Sequence, residues 1–179
     1  IDLGNGGPKV GVVGSDDTLR AVCVRAVDVH IGLDGAATQD AHQWWTQLCD
    51  AAREAIEISG VDRGELQAIA ITGQWGSTVP VDAQGIPVGD VLLWADTRGG
   101  RYVGEVIGGP ITYEGFAPLK VLRWVRRTGG APTPSGADPT GHSLVLQREL
   151  PDVYAQSVHL LEPVDYIGMR FTGRAAATP

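Results

Sequence analysis

One segment of the sequence combines residue types that could bind a polar ligand. It is Gln74-Trp75-Gly76, which lies between two apolar runs, residues 66–71 and residues 78–81. A glycine lets a ligand approach the backbone closely, and an aromatic ring can cover the ligand from one side. The same residues would also suit a tight bend with Trp75 packed in the core. Taken alone, the segment leaves both interpretations open.

A second candidate lies at the start of the chain, where Asp2 comes directly before the turn Asn5-Gly6-Gly7-Pro8 and Lys9 follows it. A carboxylate can hold Mg²⁺, often through water, while turn amides and a lysine neutralise phosphate oxygens. An aspartate before a glycine-rich turn is also a common turn former. The pattern is therefore compatible with a phosphate site and with a simple turn.

A third candidate is the pair Asp96 and Arg98, two residues apart behind Trp94. On the end of a strand, residues at this spacing point to the same side. Their carboxylate and guanidinium could then hold the vicinal hydroxyls of a sugar. The alternatives are a surface ion pair or an aspartate that caps the next helix.

The composition excludes several classes of function. The 179 residues are 43% hydrophobic and 20% charged, with a formal net charge of −7, which disfavours a broad nucleic-acid surface. No apolar run approaches the ~18–20 residues of a membrane helix. Cys23 and Cys49 form neither a zinc spacing nor a C-x-x-C pair, which is typical of reduced thiols in a cytoplasmic protein. The four histidines are scattered and predict no metal site.

The hydrophobic periodicity and turn residues indicate the elements that position these candidates. We expect a first strand that ends at residues 2–4, strands at 9–13 and 19–29, an amphipathic helix at 38–59 and a strand at 66–72. A hairpin with arms 78–81 and 91–94 should follow, then a helix ending at 107 and another spanning 118–128. The remaining expectations are a Gly/Pro-rich loop at 129–143, short elements at 144–150 and 158–161, and a last helix from 162 or 163 to 171. This β-β-β-α-β-α order predicts an α/β fold in a single domain, 1–179, with a central mixed sheet flanked by helices. The order suits actin-like ATPases, sugar kinases and ribonuclease-H-like proteins, and it does not choose among their functions.

Seven sequence blocks, in register along nearly the whole chain, resemble the amino-terminal domain of the FGGY family of carbohydrate kinases, nearest to its xylulose-kinase branch. Each block is weak alone, and their common register makes the resemblance specific. The blocks are Asp2 to Lys9, Thr72 to Gly76, Asp82 to Gly85 with Pro87, Trp94 to Arg98, Lys120 to Trp124, Leu150-Pro151 with Tyr154, and Asp165-Tyr166 with Phe171 to Gly173.

The resemblance implies a ribonuclease-H-like (actin-like ATPase) fold and ATP-dependent phosphorylation of a sugar hydroxyl, such as that of the ketopentose xylulose. It implies a two-domain enzyme of which this chain is the amino-terminal half, with the catalytic-base aspartate in a carboxy-terminal domain absent here. The fragment alone is then expected not to turn over ATP, and a homodimer is one assembly it allows. The implied residues are Gln74, Trp75, Gly76, Asp96 and Arg98 for the sugar, Asp2, Gly4, Asn5, Gly6, Gly7 and Lys9 for ATP, and Asp2 for Mg²⁺.

Two departures from the family pattern bear on function. Asn5 stands where the family usually has threonine or serine, and Gln74-Trp75-Gly76 lacks the histidine of the Gln-Met-His-Gly segment of xylulose kinases. An indole can stack on a sugar face but cannot make the hydrogen bonds of an imidazole. One alternative is therefore a non-catalytic sugar-binding or regulatory domain. Another is a ribonuclease-H-like nuclease with metals at Asp2, against which the negative charge argues.

Overall fold

A computed structural model of the chain describes residues 1–177. In chain order its strands are β1 (Asp2–Gly4), β2 (Gly7–Val13), β3 (Leu19–Val24), β4 (His30–Ile31), β5 (Ala37–Gln39), β6 (Thr72–Gly73), β7 (Val79–Val81), β8 (Val91–Leu92) and β9 (His159–Leu161). The helices are α1 (Ala41–Ser59), α2 (Gly104–Ile107), α3 (Pro118–Thr128), α4 (Pro139–Glu149), α5 (Pro151–Gln156) and α6 (Pro163–Thr172). Single 3₁₀ turns lie at Arg63–Glu65 and Arg98–Arg101. Within the described range, no helix is long and apolar enough to cross a membrane.

The largest sheet has the strand order β3-β2-β1-β6. Strands β1, β2 and β3 form an antiparallel meander, and β6 lies parallel to β1 on its other side. The smaller sheets are β4-β5-β8 and β7-β9. Helices accompany these sheets, so the predicted α/β fold with a mixed central sheet is confirmed.

Helix α1 covers one face of the meander because its apolar residues recur every three or four positions. Trp44, Leu48, Ala51 and Ala55 are buried, and the inward residues of β2 and β3 pack beside Ala51 and Ala55. Asp40 caps the start of α1, because its carboxylate accepts from the His42 amide at 2.7 Å.

The two adjacent tryptophans of α1, Trp44 and Trp45, lie against α6. Trp44 is fully buried with its ring centroid 6.5 Å from that of Tyr166, and the Tyr166 hydroxyl donates to the Ala41 carbonyl at 3.2 Å. Trp45 makes an edge contact with Phe171, with centroids 5.2 Å apart. Both tryptophans therefore serve packing between α1 and α6.

Several predicted boundaries differ from the structure. Residues 66–71 are mostly exposed and form no ladder, so the fourth strand is reduced to β6. The two predicted hairpin arms meet in an isolated bridge between Thr78 and Leu92 and form no ladder with each other, because β7 pairs with β9 and β8 pairs with β5. The loop predicted at 129–143 ends at Asp138, whose carboxylate caps the start of α4.

Helix α3 forms at its predicted bounds but buries none of its residues. Leu119 is 78% exposed, and Leu122 and Val125 are nearly half exposed. Its arginines, Arg123, Arg126 and Arg127, are exposed to solvent, and in the described part of the chain its apolar side is uncovered.

Candidate functional site

The pairing of β1 with β6 brings the first two candidate segments together. Asp2 lies opposite Thr72 and Leu3 opposite Gly73 in a parallel ladder. The carboxyl ends of both strands therefore open at the same edge of the sheet, where open α/β sheets bind ligands. A pocket of about 380 Å³ lies at this edge, lined by Asp2, Gly4, Asn5, Gly73, Gln74, Trp75 and Trp94.

The turn after β1 is a two-residue hairpin, because Gly4 pairs directly with Gly7. Gly6 is exposed and leaves space for a ligand beside it. Gly7 is buried at φ +122°, where a Cβ would overlap the carbonyl of Arg25, so its position requires glycine. Gly7 thus has a clear steric role, and its predicted contact with phosphate stays a prediction.

Asp2 and Lys9 face each other across the β1–β2 ladder. The Lys9 ammonium donates to the Asp2 carboxylate at 3.2 Å, and both side chains are about half exposed. Solvent screens such a pair, so it contributes little to stability and can open for a ligand.

The segment Gln74-Trp75-Gly76, called the sugar segment below after its predicted role, follows β6. The backbone amide of Gln74 donates to the Leu3 carbonyl at 2.8 Å and so fixes the segment to β1. The Trp75 side chain is 81% exposed and stands at the pocket rim, which rules out the core interpretation of this residue. Gly76 has φ +79°, and its amide donates to the Glu162 carboxylate at 3.0 Å.

The third candidate pair does not line this pocket. Asp96 is fully buried and the Arg98 side chain is only 10% exposed. The guanidinium donates to both Asp96 oxygens, with Nη2 2.6 Å from Oδ2, and Oδ2 also accepts from the Ala37 amide at 3.1 Å. The hydrogen bond with Asp96 raises the pKa of Arg98. The pair is thus neither a surface ion pair nor open to a ligand in this conformation, and its sugar contact stays a prediction.

A buried polar group lies behind this ion pair. His142 of α4 is fully buried, with Nδ1 2.9 Å from the Thr78 hydroxyl, while its Nε2 has no hydrogen-bond partner in the described structure. Burial lowers the pKa of His142 because the charged imidazolium would lose its hydration.

Sequence reasoning missed three residues of the site, Trp94, Gln39 and Glu162. Trp94, half exposed, forms a pocket wall, and the side chain of Asn5 accepts from its indole Nε1 at 3.0 Å. Gln39 and Glu162 contact the turn and the sugar segment from 34 and 86 residues away along the chain. Burial raises the pKa of Glu162. The W-x-D-x-R block marks Trp94, but no local pattern marks Gln39 or Glu162.

The charged groups of the pocket limit which metal it can hold. Residues 1–177 contain no group of three His, Cys, Asp or Glu side chains that could hold a metal ion. Asp2 is one carboxylate beside a turn with open space. That donor set fits Mg²⁺, which binds one or two carboxylates, several waters and the phosphates of a substrate. The nuclease alternative, which needs several carboxylates around its metals, gains no support from this arrangement.

The sequence is similar to known sugar kinases over most of its length. Residues 1–118 match the FGGY family of carbohydrate kinases, N-terminal domain. The chain is 29% identical over 180 residues to a xylulose kinase of Streptomyces rubiginosus, covering 91% of this chain and 34% of the relative. It is 38% identical over 72 residues to a glycerol kinase of Methylobacterium radiotolerans, covering 40% of this chain and 14% of the relative.

The fold is shared with a solved structure named a xyloylose kinase from Brucella ovis. The TM-score is 0.77 at 22% identity, covering 97% of this chain and 33% of that one. Identity at this level shows the fold, and the predicted ribonuclease-H-like (actin-like ATPase) class is confirmed. This chain spans about a third of the length of the xylulose kinases that it matches. By the family match over residues 1–118, the chain belongs to the FGGY family of carbohydrate kinases.

Proposed function

We propose that this chain is the amino-terminal half of a kinase that transfers a phosphoryl group from ATP to a hydroxyl of a ketopentose such as xylulose. The observation that carries the proposal is the pocket at the ends of β1 and β6. One cavity is lined both by Gly4 and Asn5, at the turn proposed for phosphate, and by Gln74 of the sugar segment. Phosphoryl transfer depends mainly on placing the acceptor hydroxyl in line with the phosphate and neutralising charge. A pocket that holds both groups supports that requirement.

The sugar would lie between Trp75 and Trp94, with the side-chain amide of Gln74 beneath it. The exposed indoles offer apolar faces to the C–H groups of a sugar, and the amide offers a donor and an acceptor to its hydroxyls. The proposed roles of Asp96 and Arg98 would require their ion pair to open, and their burial favours a positioning role instead.

The phosphates of ATP would approach the exposed Gly6 and the Lys9 ammonium, while Asp2 would hold Mg²⁺. When bound, Mg²⁺ supplies charge neutralisation on the phosphate oxygens. Lys9 is already close to this position, since its ammonium pairs with Asp2 at 3.2 Å. The catalytic base and most contacts to adenine would come from the carboxy-terminal domain, and domain closure would keep water from taking the phosphate.

The proposal is tested by titrating the chain with D-xylulose and with glycerol in a calorimeter, and by assaying the complete gene product with ATP and each polyol. We expect binding of a polyol to the chain, no turnover by the chain alone and turnover by the complete product. Gln74→Leu should remove polyol binding without unfolding the chain, because Gln74 lies at the pocket edge. Failure of both the chain and the complete product to bind any polyol would refute the proposal.

A second candidate is a sugar-binding domain that does not transfer phosphate. One observation favours it: the Asn5 side chain is engaged with Trp94, so it is not directed at a phosphate in this conformation. The same assays separate the two candidates. A complete gene product that binds a polyol but leaves ATP unchanged in its presence would establish the binder and exclude the kinase.

A further inference from the structure

Five residues from four separate segments of the chain form a closed ring of hydrogen bonds at the pocket. They come from the turn after β1, the end of β5, residues 74–77 and the residues that directly follow β8. The members are Asn5, Gln39, Gln74, Ser77 and Trp94. Three of them, Asn5, Gln74 and Trp94, also line the pocket.

The ring closes through five contacts. The Trp94 indole Nε1 donates to Asn5 Oδ1 at 3.0 Å, and the Trp94 backbone amide donates to Ser77 Oγ at 3.1 Å. Ser77 Oγ donates to Gln74 Oε1 at 3.3 Å. Gln74 Nε2 donates to Gln39 Oε1 at 3.5 Å, the longest contact, and Gln39 Nε2 donates to the Asn5 carbonyl at 2.9 Å.

The chemistry of the partners fixes the direction of these bonds. An indole nitrogen only donates, so the atom of Asn5 that faces Trp94 is its oxygen. The same reasoning applies to Gln39, whose Oε1 accepts from the Trp44 indole at 3.1 Å. Its Nε2 must then face the Asn5 carbonyl, which only accepts. Both amides are therefore oriented without ambiguity.

Burial makes the ring a rigid support. Gln39 and Ser77 are fully buried, so water does not compete for their hydrogen bonds. The buried Trp44 anchors Gln39 to the core of α1. By contrast, Asn5 and Trp94 are exposed at the pocket, where a ligand can reach them. The buried members hold the exposed members in place.

We propose that this ring positions Trp94 and Gln74, which would contact the sugar, relative to the turn after β1, which would contact phosphate. Asn5 then acts on sugar binding by holding the Trp94 indole, rather than by contacting phosphate. Gln39 and Ser77 are then positioning residues of the same pocket. This inference rests on the proposed function, since it concerns how that pocket takes its sugar. It also accounts for the asparagine at position 5, because the shorter hydroxyl side chain of threonine does not extend as far toward the indole.

Two substitutions at position 5 test the ring. Asn5→Thr removes the amide oxygen that holds Trp94, and Asn5→Asp keeps an oxygen acceptor at the same place. We expect Asn5→Thr to weaken D-xylulose binding about threefold to tenfold, the effect of one neutral hydrogen bond, and Asn5→Asp to weaken it less. Ser77→Ala should weaken it by a similar factor, and Ser15→Ala, at an exposed serine outside the ring, should leave it unchanged.

A measurement without sugar tests the ring independently. The chain contains five tryptophans, so incorporation of 5-fluorotryptophan gives five ¹⁹F resonances, and Trp94→Phe identifies that of Trp94. Asn5→Thr and Ser77→Ala should each shift the Trp94 resonance, whereas Asn5→Asp should shift it less than Asn5→Thr and Ser15→Ala should leave it in place. In the complete gene product, Asn5→Thr should raise the KM for sugar more than the KM for ATP.

The outcomes separate this inference from the proposed function. If the chain and the complete product bind no polyol, the proposed function fails, and the ¹⁹F shifts still decide whether the ring holds Trp94. If polyol binds normally but Asn5→Thr changes neither the affinity nor the Trp94 resonance, the ring inference is overturned. A rise confined to the KM for ATP would instead assign Asn5 to phosphate and would also overturn it.

Discussion

Replacing Trp75 by alanine separates a ligand-binding indole from a core indole. The side chain is 81% exposed, so about a fifth of its roughly 200 Å² is buried by the fold. At about 25 cal/mol per Å² of apolar area, removing that part costs at most ~1 kcal/mol of unfolding free energy. Trp44 is the matched control, because it is fully buried, and Trp44→Ala should cost about 3–5 kcal/mol.

The effect of Trp75→Ala on sugar binding should be larger than its effect on stability. A sugar that covers about a third of the indole would bury roughly 65 Å² of it, which corresponds to about 1.6 kcal/mol. The dissociation constant for D-xylulose should therefore rise by about 15-fold. Aromatic rings that bind ligands are exposed before binding, and Trp75 meets that condition.

Urea unfolding followed by circular dichroism gives the stability of the Trp75→Ala and Trp44→Ala chains, and calorimetry gives the sugar affinity. Two results would refute the reasoning. One is a loss of stability for Trp75→Ala as large as that for Trp44→Ala, which would place the indole in the core. The other is an unchanged sugar affinity with the fold intact, which would remove Trp75 from the binding site.

Three further predictions concern charged and titratable groups. Asp96→Ala should lower the free energy of unfolding by about 3 kcal/mol or more in urea titrations, because it leaves the buried Arg98 without the Asp96 carboxylate. The control is Arg148→Ala, which breaks the exposed ion pair with Glu105 and should change the same free energy by no more than about 1 kcal/mol. Burial raises the pKa of Glu162 above 4.5, so the Glu162 carboxyl binds its proton more tightly in the folded chain than in the unfolded chain. The wild-type chain should therefore lose stability relative to Glu162→Gln as pH rises from 4.5 through the pKa of Glu162 in the folded chain. Burial lowers the pKa of His142 below 6.5, so the imidazole binds its second proton more tightly in the unfolded chain than in the folded chain. As pH falls below 6.5, the His142→Gln chain should therefore lose less stability than the wild-type chain. Parallel pH profiles for either variant and the wild-type chain would contradict the corresponding prediction.

The elements that the sequence predicts well are those whose signals are local. Helix α1 follows from its apolar spacing, and its end follows from Gly60, which adopts the left-handed conformation at φ +67°. The meander follows from turn residues between β-branched runs. The strand expected at residues 66–72 was wrong over residues 66–71, because its apolar pattern does not reveal whether a neighbouring strand lies within hydrogen-bonding distance. The part of this stretch that pairs with β1 in the ladder is Thr72, followed by Gly73.

The residues of the candidate site were predicted only in part, again because the sequence carries local signals and not the contacts between distant segments. The motifs that contain Asn5 and Gln74 were both recognised, and the structure brings them to one pocket. Their connections were not predictable, because Gln39 and Trp94 reach Asn5 from 34 and 89 residues away. The sequence also did not show that the Asp96 carboxylate is buried against Arg98 in this conformation, since two residues at this spacing can satisfy each other as readily as they can satisfy a sugar. Its contact with a sugar stays a prediction.

If the pocket takes a sugar as proposed, the hydrogen-bonding capacity of Gln74 sets which hydroxyls it would recognise. A side-chain amide has two N–H groups and two lone pairs on its oxygen. One N–H donates to Gln39 and one lone pair accepts from Ser77, so one donor and one acceptor remain for a ligand. A fixed donor beside a fixed acceptor matches two adjacent hydroxyls, of which one accepts and the other donates. Trp94 has already used its Nε1 on Asn5 and offers only its ring face. Recognition through one diol and two indole faces would therefore accept any polyol with an adjacent hydroxyl pair, and discrimination among such polyols would have to come from residues outside this pocket.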